Sequence, residues 1–312
     1  MSALFRMPCV SAAVLLALPL LSPAGSPDKY LPDDSEVVLA VNVRQFLETP
    51  LINRDLDKLR EALKGQEKVS AELEKVGVDP LKDIDQVTIA GAPGQGDDHF
   101  LLVAHGRFDT AKLEARAKSA VTEESDTVSE VKEEDHTFYS ITQPGAARVF
   151  YVAWPESGTI VASPSKDLIL HAFGVQAAKN QSSLNQDMAG LLDKVDEKSV
   201  ASIVGLGSLL KGTPQAGQVQ HFSGAVTIDQ SMHLAAAVAV KDVDTAETLT
   251  KTITDALAQA KTMLSMAAKD REDLGPAIAL LEAIKIRREG DTINIEGDLT
   301  EDLLDKLHRA GS

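Results

Sequence analysis

Val87-Thr88-Ile89-Ala90, a turn rich in Gly and Asp, Phe100-Leu101-Leu102-Val103-Ala104 and then Asp109-Thr110-Ala111 form the stretch that decides the fold. The order is strand, turn, strand, helix start. Each strand is a short apolar run bounded by turn residues. An Asp stands before the helical run, where its carboxylate can accept backbone N–H groups that have no partner within the helix. The same grammar returns 135 residues later: Gly224-Ala225-Val226-Thr227-Ile228, a polar turn, Leu234 to Val240, then Asp244-Thr245-Ala246.

Two further matches extend this repeat. Ser35-Glu36-Val37-Val38-Leu39-Ala40-Val41-Asn42-Val43 runs on to Phe46, Thr49 and Pro50. At a shift of 164, Ser199-Val200-Ala201-Ser202-Ile203-Val204-Gly205-Leu206 runs on to Leu210, Thr213 and Pro214. The alternating hairpin Val131 to Ile141 parallels Ile284 to Ile295, where Gly290-Asp291 suits a tight turn. Each half then closes in a short capped helix, Ser165-Lys166-Asp167-Leu168-Ile169 and Thr300-Glu301-Asp302-Leu303-Leu304. Paired strands followed by helices predict an α+β fold by internal duplication, with antiparallel sheets and helices packed on one face.

Helical spacing predicts one helix over Leu51 to Val76, stopped by Gly77 and Pro80. It predicts a second through Ala246, Leu249, Ile253, Leu257, Ala260, Leu264 and Ala267, and a third restarted by Gly275-Pro276. The expected organisation is a leader over 1–24, a first half over 31–175, a linker with a short helix over 176–195, and a second half over 196–311. The leader reading rests on Arg6 followed by the ten apolar residues Ala12 to Leu21 and the small residues Ser22-Pro23-Ala24. That run is too short to span a bilayer, and no later stretch approaches twenty apolar residues. Removing 1–24 also removes the only cysteine, Cys9, so the exported chain would rely on burial rather than disulfides. Export places it in the periplasm or outside the cell.

Composition excludes some functions. The 312 residues hold 31 Lys+Arg against 47 Asp+Glu, a formal net charge of −16, which argues against tracking nucleic-acid phosphates. At 44% hydrophobic residues the chain is too apolar for disorder. No HxxxH, HExxH or CxxC occurs, and His99 and His105, six apart on one strand, lie too far apart to share a metal. The clusters Glu123-Glu124-Ser125-Asp126 and Glu133-Glu134-Asp135 lack the calcium-loop pattern and read as solvated turns. Gly91, Gly94 and Gly96 fall in a hairpin turn, and Gly205-Leu206-Gly207 lacks the third glycine of a dinucleotide site. Neither a metal nor a cofactor is expected.

One string looks catalytic. Ser163-Pro164-Ser165-Lys166 satisfies S-x-x-K, the spacing that sets a nucleophilic Ser one helical turn from an activating Lys. The partner motifs are absent in usable form, since Lys211-Gly212-Thr213 has the wrong order. The competing reading is that Ser163 or Ser165 caps a helix with Pro in its first turn. Trp154, Tyr139, Tyr151 and Phe150 could line a pocket or fill a core.

Leu31-Pro32-Asp33-Asp34-Ser35, Gly77-Val78-Asp79-Pro80-Leu81-Lys82-Asp83-Ile84 and Ala162-Ser163-Pro164-Ser165-Lys166-Asp167 together resemble a group of exported bacterial proteins frequent in planctomycete-type genomes. Those proteins have an LPADT-like start and a G-x-D-P-x-K-D-I motif. The resemblance implies export, carries over no catalytic residues, and assigns the S-x-x-K string to the scaffold. Three functions follow from these observations. The first is an exported non-enzymatic binding or interaction protein of the cell envelope, its partner an envelope protein or a small apolar ligand. The second is a carrier holding an apolar ligand between sheet and helices, with Leu257, Ala260 and Leu264 along its wall. The third is a serine acyl-enzyme using Ser163 and Lys166. The sequence does not fix an oligomeric state.

Overall fold

A single antiparallel sheet organises the computed structural model, which describes residues 28–54, 56–57, 60–61, 78–96, 98–142, 148–178, 184–213, 217–268, 274–304 and 306. The leader over 1–24 and most of the helix expected over Leu51 to Val76 lie outside the described residues. The first half supplies β1 (Val37–Val41), β2 (Ile84–Gly91), β3 (Phe100–Gly106), β4 (Val128–Glu133), β5 (His136–Thr142), β6 (Val149–Glu156) and β7 (Thr159–Ser163). The second supplies β8 (Ser199–Leu206), β9 (Val219–Ile228), β10 (Met232–Val240), β11 (Ile284–Glu289) and β12 (Thr292–Leu299). Their spatial order is β11-β12-β10-β9-β8-β1-β2-β3-β7-β6-β5-β4. The class is α+β, and the two halves share one continuous sheet rather than building one each.

The halves meet where β1 pairs with β8, Leu39 opposite Ile203. Outward from that pair, β1-β2-β3-β7-β6 matches β8-β9-β10-β12-β11, each followed by a helical segment. The duplication therefore has a spatial form, a pseudo-twofold between β1 and β8. One equivalence differs from the sequence expectation. The hairpin in the place of β11–β12 is β6–β7, whereas Val131 to Ile141 forms β4–β5, an additional hairpin at the far edge. Alternation alone could not separate them, because both hairpins present one face to the core.

Val43–Glu48 (α1) and Pro50–Asn53 (α2) are short; α3 is Thr110–Glu123. Lys166–Ala178 is α4, Gln186–Leu192 is α5, Val243–Ala267 is α6 and Gly275–Ala283 is α7. Asp109 caps α3 through Lys112 N at 3.1 Å. The cap of α6 is Asp242, accepting from Thr245 N at 2.7 Å, so Asp244 sits in the first turn instead of at the cap. An acid in that turn still faces the positive end of the helix dipole.

The two long helices lie on the same face of the sheet. Leu113 of α3 packs with Ala104 and Phe108, against Val87, Leu102, Trp154 and Ile160. Ala246 of α6 packs with Val240 and Ile293, against Val238, Ile286 and Ile295. Helices α4 and α5 add a layer on the opposite face of the first half, where Ile169, Ala172, Met188 and Leu192 bury against Val38, Ala90, Val103, Val161 and Val204. That layer includes Val204 from β8, so the main core crosses the boundary between halves. Tyr30 and Leu31 are fully buried in it as well.

Candidate functional site

The S-x-x-K string divides between strand and helix. Ser163 ends β7 with no exposed surface; its Oγ donates to the Phe100 carbonyl at 2.7 Å and accepts from Ser165 N at 2.9 Å. Lys166 opens α4 and turns to Glu133, Nζ to Oε2 2.6 Å. The Glu133 carboxylate raises the Lys166 pKa, the reverse of what proton abstraction from a serine needs. The hydroxyl proton is committed to a carbonyl, and the string joins a strand to a helix.

A hydroxyl–imidazole–carboxylate alignment occurs elsewhere. His105 places Nε2 2.5 Å from Asp28 Oδ2 and Nδ1 3.1 Å from Thr159 Oγ1. Burial disfavours charge on His105, but the hydrogen bond and charge of Asp28 outweigh it and raise the pKa. Thr159 is only 2% exposed, so no substrate reaches its hydroxyl. What the cluster does is fasten the segment entering β1. Lys29 pairs with Glu156 at 2.9 Å, Tyr30 lies beneath His105, and burial followed by the Glu156 carboxylate raises the Tyr30 phenol. His99 makes a separate pair with Asp34 at 2.8 Å.

The other sequence candidates also resolve into scaffold. Arg116 takes both Glu123, at 3.1 Å, and Glu124, at 2.6 Å. Tyr139 stacks on Trp154 with centroids 5.3 Å apart, and Tyr151 meets Phe138 edge-on at 5.9 Å. Phe150 meets Phe100 edge-on at 6.2 Å. A Cβ on Gly207 would stand 1.8 Å from the Val219 carbonyl oxygen, so that glycine permits close backbone approach rather than cradling a phosphate. Among the described residues no three His, Cys, Asp or Glu side chains converge as a metal site.

What the structure adds is an apolar trough on the face that carries α3 and α6. It runs across six adjacent strands, from Leu39 on β1 through Ile203, Gly224 and Ala236 to Ile295 and Ile284, and holds about 420 Å³. Ala201, Val226, Leu234 and Gly297 complete its second row. Five strand spacings make it about 24 Å long, and two same-face residues on each of the four middle strands make it about 7 Å wide there. Its lining is almost wholly apolar, yet Leu39 is 38% and Ile203 36% exposed.

The ladder registers explain the depression. Leu39 faces Ile89, which faces Leu102; across the pseudo-twofold, Ile203 faces Gly224, which faces Ala236. Two large side chains on one side are matched by a hydrogen atom and a methyl on the other. A Cβ on Gly224 would meet Ile203 Cγ2 at 3.1 Å, and one on Gly297 would meet only Leu234, at 3.8 Å, so neither glycine is demanded by its backbone surroundings. The expected wall of Leu257, Ala260 and Leu264 does not line the trough; strands do. The missed signal was the run of small residues in two strands, Gly224-Ala225 and Ala235-Ala236-Ala237, which have low strand propensity.

No family model matches this chain, and no curated protein does. Among solved structures, crystal form I of TP0453 is similar to it with a TM-score of 0.44 and 13% identity, over 92% of this chain and 96% of that one. No helix among the described residues is long and apolar enough to cross a membrane.

Proposed function

We propose that this is an exported, non-enzymatic binding protein of the cell envelope, and that its trough holds a slender apolar ligand of the acyl-chain type. The observation that carries the reading is the trough's shape, about 24 Å by 7 Å and apolar along its length. Such a strip suits an extended chain better than a compact ring. Its volume falls in the range of small-molecule sites. Each methylene taken out of water contributes about 0.8 kcal/mol, so eight offset much of the cost of immobilising a ligand. Export is supported by the leader sequence over 1–24 and by the resemblance to exported planctomycete-type proteins. The non-enzymatic reading is supported by the engagement of Ser163, Lys166 and His105 in structural contacts.

Native mass spectrometry of the full chain purified from its own envelope tests this reading. The expected result is an added apolar mass that leaves on denaturation and is lost in Ala236→Leu, which restores the bulk found at Leu102. A bare wild-type chain, or a bound mass indifferent to Ala236→Leu, overturns it.

A further inference from the structure

The sheet has two open edges, and they differ in charge. At one end β4 carries Glu130 and Glu133, with Glu134 and Asp135 in the turn that follows, against a single Lys132. At the other end β11 carries Lys285, Arg287 and Arg288 against a single Glu289. On β11, Lys285 pairs with Asp298 at 3.1 Å and Arg287 with Glu296 at 3.5 Å, both on β12, which leaves Arg288 as the basic side chain of that edge outside an ion pair among the described residues. Among the described residues neither edge strand has an outer partner. Charges on an edge ordinarily oppose sheet extension. Opposite charges on the two edges oppose only β4 against β4 and β11 against β11.

Geometry favours the mixed pairing. Twelve strands alternate in direction, so the first and last run opposite ways. A second copy related by translation and twist brings its β11 antiparallel to β4 with the same face outward. The bond from Thr142 N to the Thr127 carbonyl shows odd-numbered residues of β4 turned inward to β5, leaving the main-chain groups of Val128, Glu130 and Lys132 outward. The two-residue turn closed by Glu289 and Thr292 likewise leaves Ile284, Ile286 and Arg288 outward. The register that sets Glu130 opposite Arg288 therefore satisfies the main-chain alternation. It also sets Glu133 opposite Lys285 and Lys132 opposite Ile286. Arg288 makes no ion pair among the described residues; its guanidinium donates to the Gly290 carbonyl at 3.1 Å.

We infer that β4 of one molecule pairs with β11 of a second copy of this chain, giving head-to-tail assemblies that extend the sheet. The contact is heterologous, so chains grow or close by rotation rather than stopping at a dimer. Charge-swap sedimentation of the full chain tests it. Wild-type protein should show a weight-average mass that rises with concentration and falls as salt screens the edges. Glu130→Lys and Arg288→Glu should each sediment as a monomer, with circular dichroism confirming that both stay folded. An equal mixture of the two variants should associate again, because the native β4 of the Arg288→Glu chain meets the native β11 of the Glu130→Lys chain, and the two altered positions face each other with opposite charge. A wild-type monomer at every concentration, single variants that assemble like wild type, or a mixture that stays monomeric would each overturn the proposal. None of these readings depends on the trough.

Discussion

The two halves of this molecule share a topology and differ in filling. Around the pseudo-twofold between Leu39 and Ile203, the first half sets Ile89 and Leu102 where the second sets Gly224 and Ala236. The first half then completes its face with Trp154 and Ile160 packed beneath Leu113 of α3. The second half leaves an open strip beside α6. The same architecture thus supports a filled, partly buried face on one side and an open apolar strip on the other. Backbone topology sets where the helices lie, and side-chain volume decides what remains open.

That comparison can be broken from either side. Leu102→Ala puts the second half's small residue into the filled half and should cost about 1–2 kcal/mol in denaturant unfolding, because partly buried methyls lose their packing. Ala236→Leu is the reverse exchange and should change stability by less than about 1 kcal/mol, since the new side chain enters open space rather than a packed core. A loss in Ala236→Leu equal to that in Leu102→Ala would mean the trough is closed in solution.

The anchor at Asp28 and His105 fastens the first half. Asp28→Asn should cost about 1–2 kcal/mol, because a half-buried imidazole then loses a charged acceptor. The pH dependence has a definite sign. With the His105 pKa raised in the folded protein, the pair's contribution is full below the ordinary imidazole value and disappears as pH rises through the raised one. The stability gap between wild type and His105→Gln should therefore be larger at about pH 5.5 than at about pH 9. A gap that widens with pH would contradict the assignment.

Where the halves are alike, small and equal effects are expected. Asp109→Ala and Asp242→Ala each remove a capping carboxylate, from Lys112 N and Thr245 N. Both should lower the melting temperature slightly and by similar amounts. Smaller still, Gly297→Ala adds a methyl in ordinary contact with Leu234 and should leave unfolding within about 0.5 kcal/mol of wild type. It should still weaken ligand binding by narrowing one end of the strip.

Much of this architecture was legible in the chain. Strand, turn, strand and helix repeat in order, and Asp109 marks a helix start, because apolar alternation and caps are local properties. The hairpin equivalence was not legible. Val131 to Ile141 and β6–β7 compete for one place, and only pairing with β3 decides between them. The trough was hidden for a related reason. Gly224 and Ala236 face each other across one hairpin, but their shared lack of volume opens a strip only once β8 and β1 on one side and β12 on the other extend the sheet. The S-x-x-K string was ambiguous on its own, because the same spacing arises where a buried strand turns into a helix, as Ser163 and Lys166 do.

Titration of the full chain with a fluorescent fatty acid tests the central claim most directly. Wild type should bind saturably at one site, Ala236→Leu should raise the dissociation constant about tenfold or more, equivalent to about 1.4 kcal/mol, and its stability should stay within about 1 kcal/mol of wild type. Equal binding by both proteins would show that the emptied ladder of the second half is not where an apolar ligand goes.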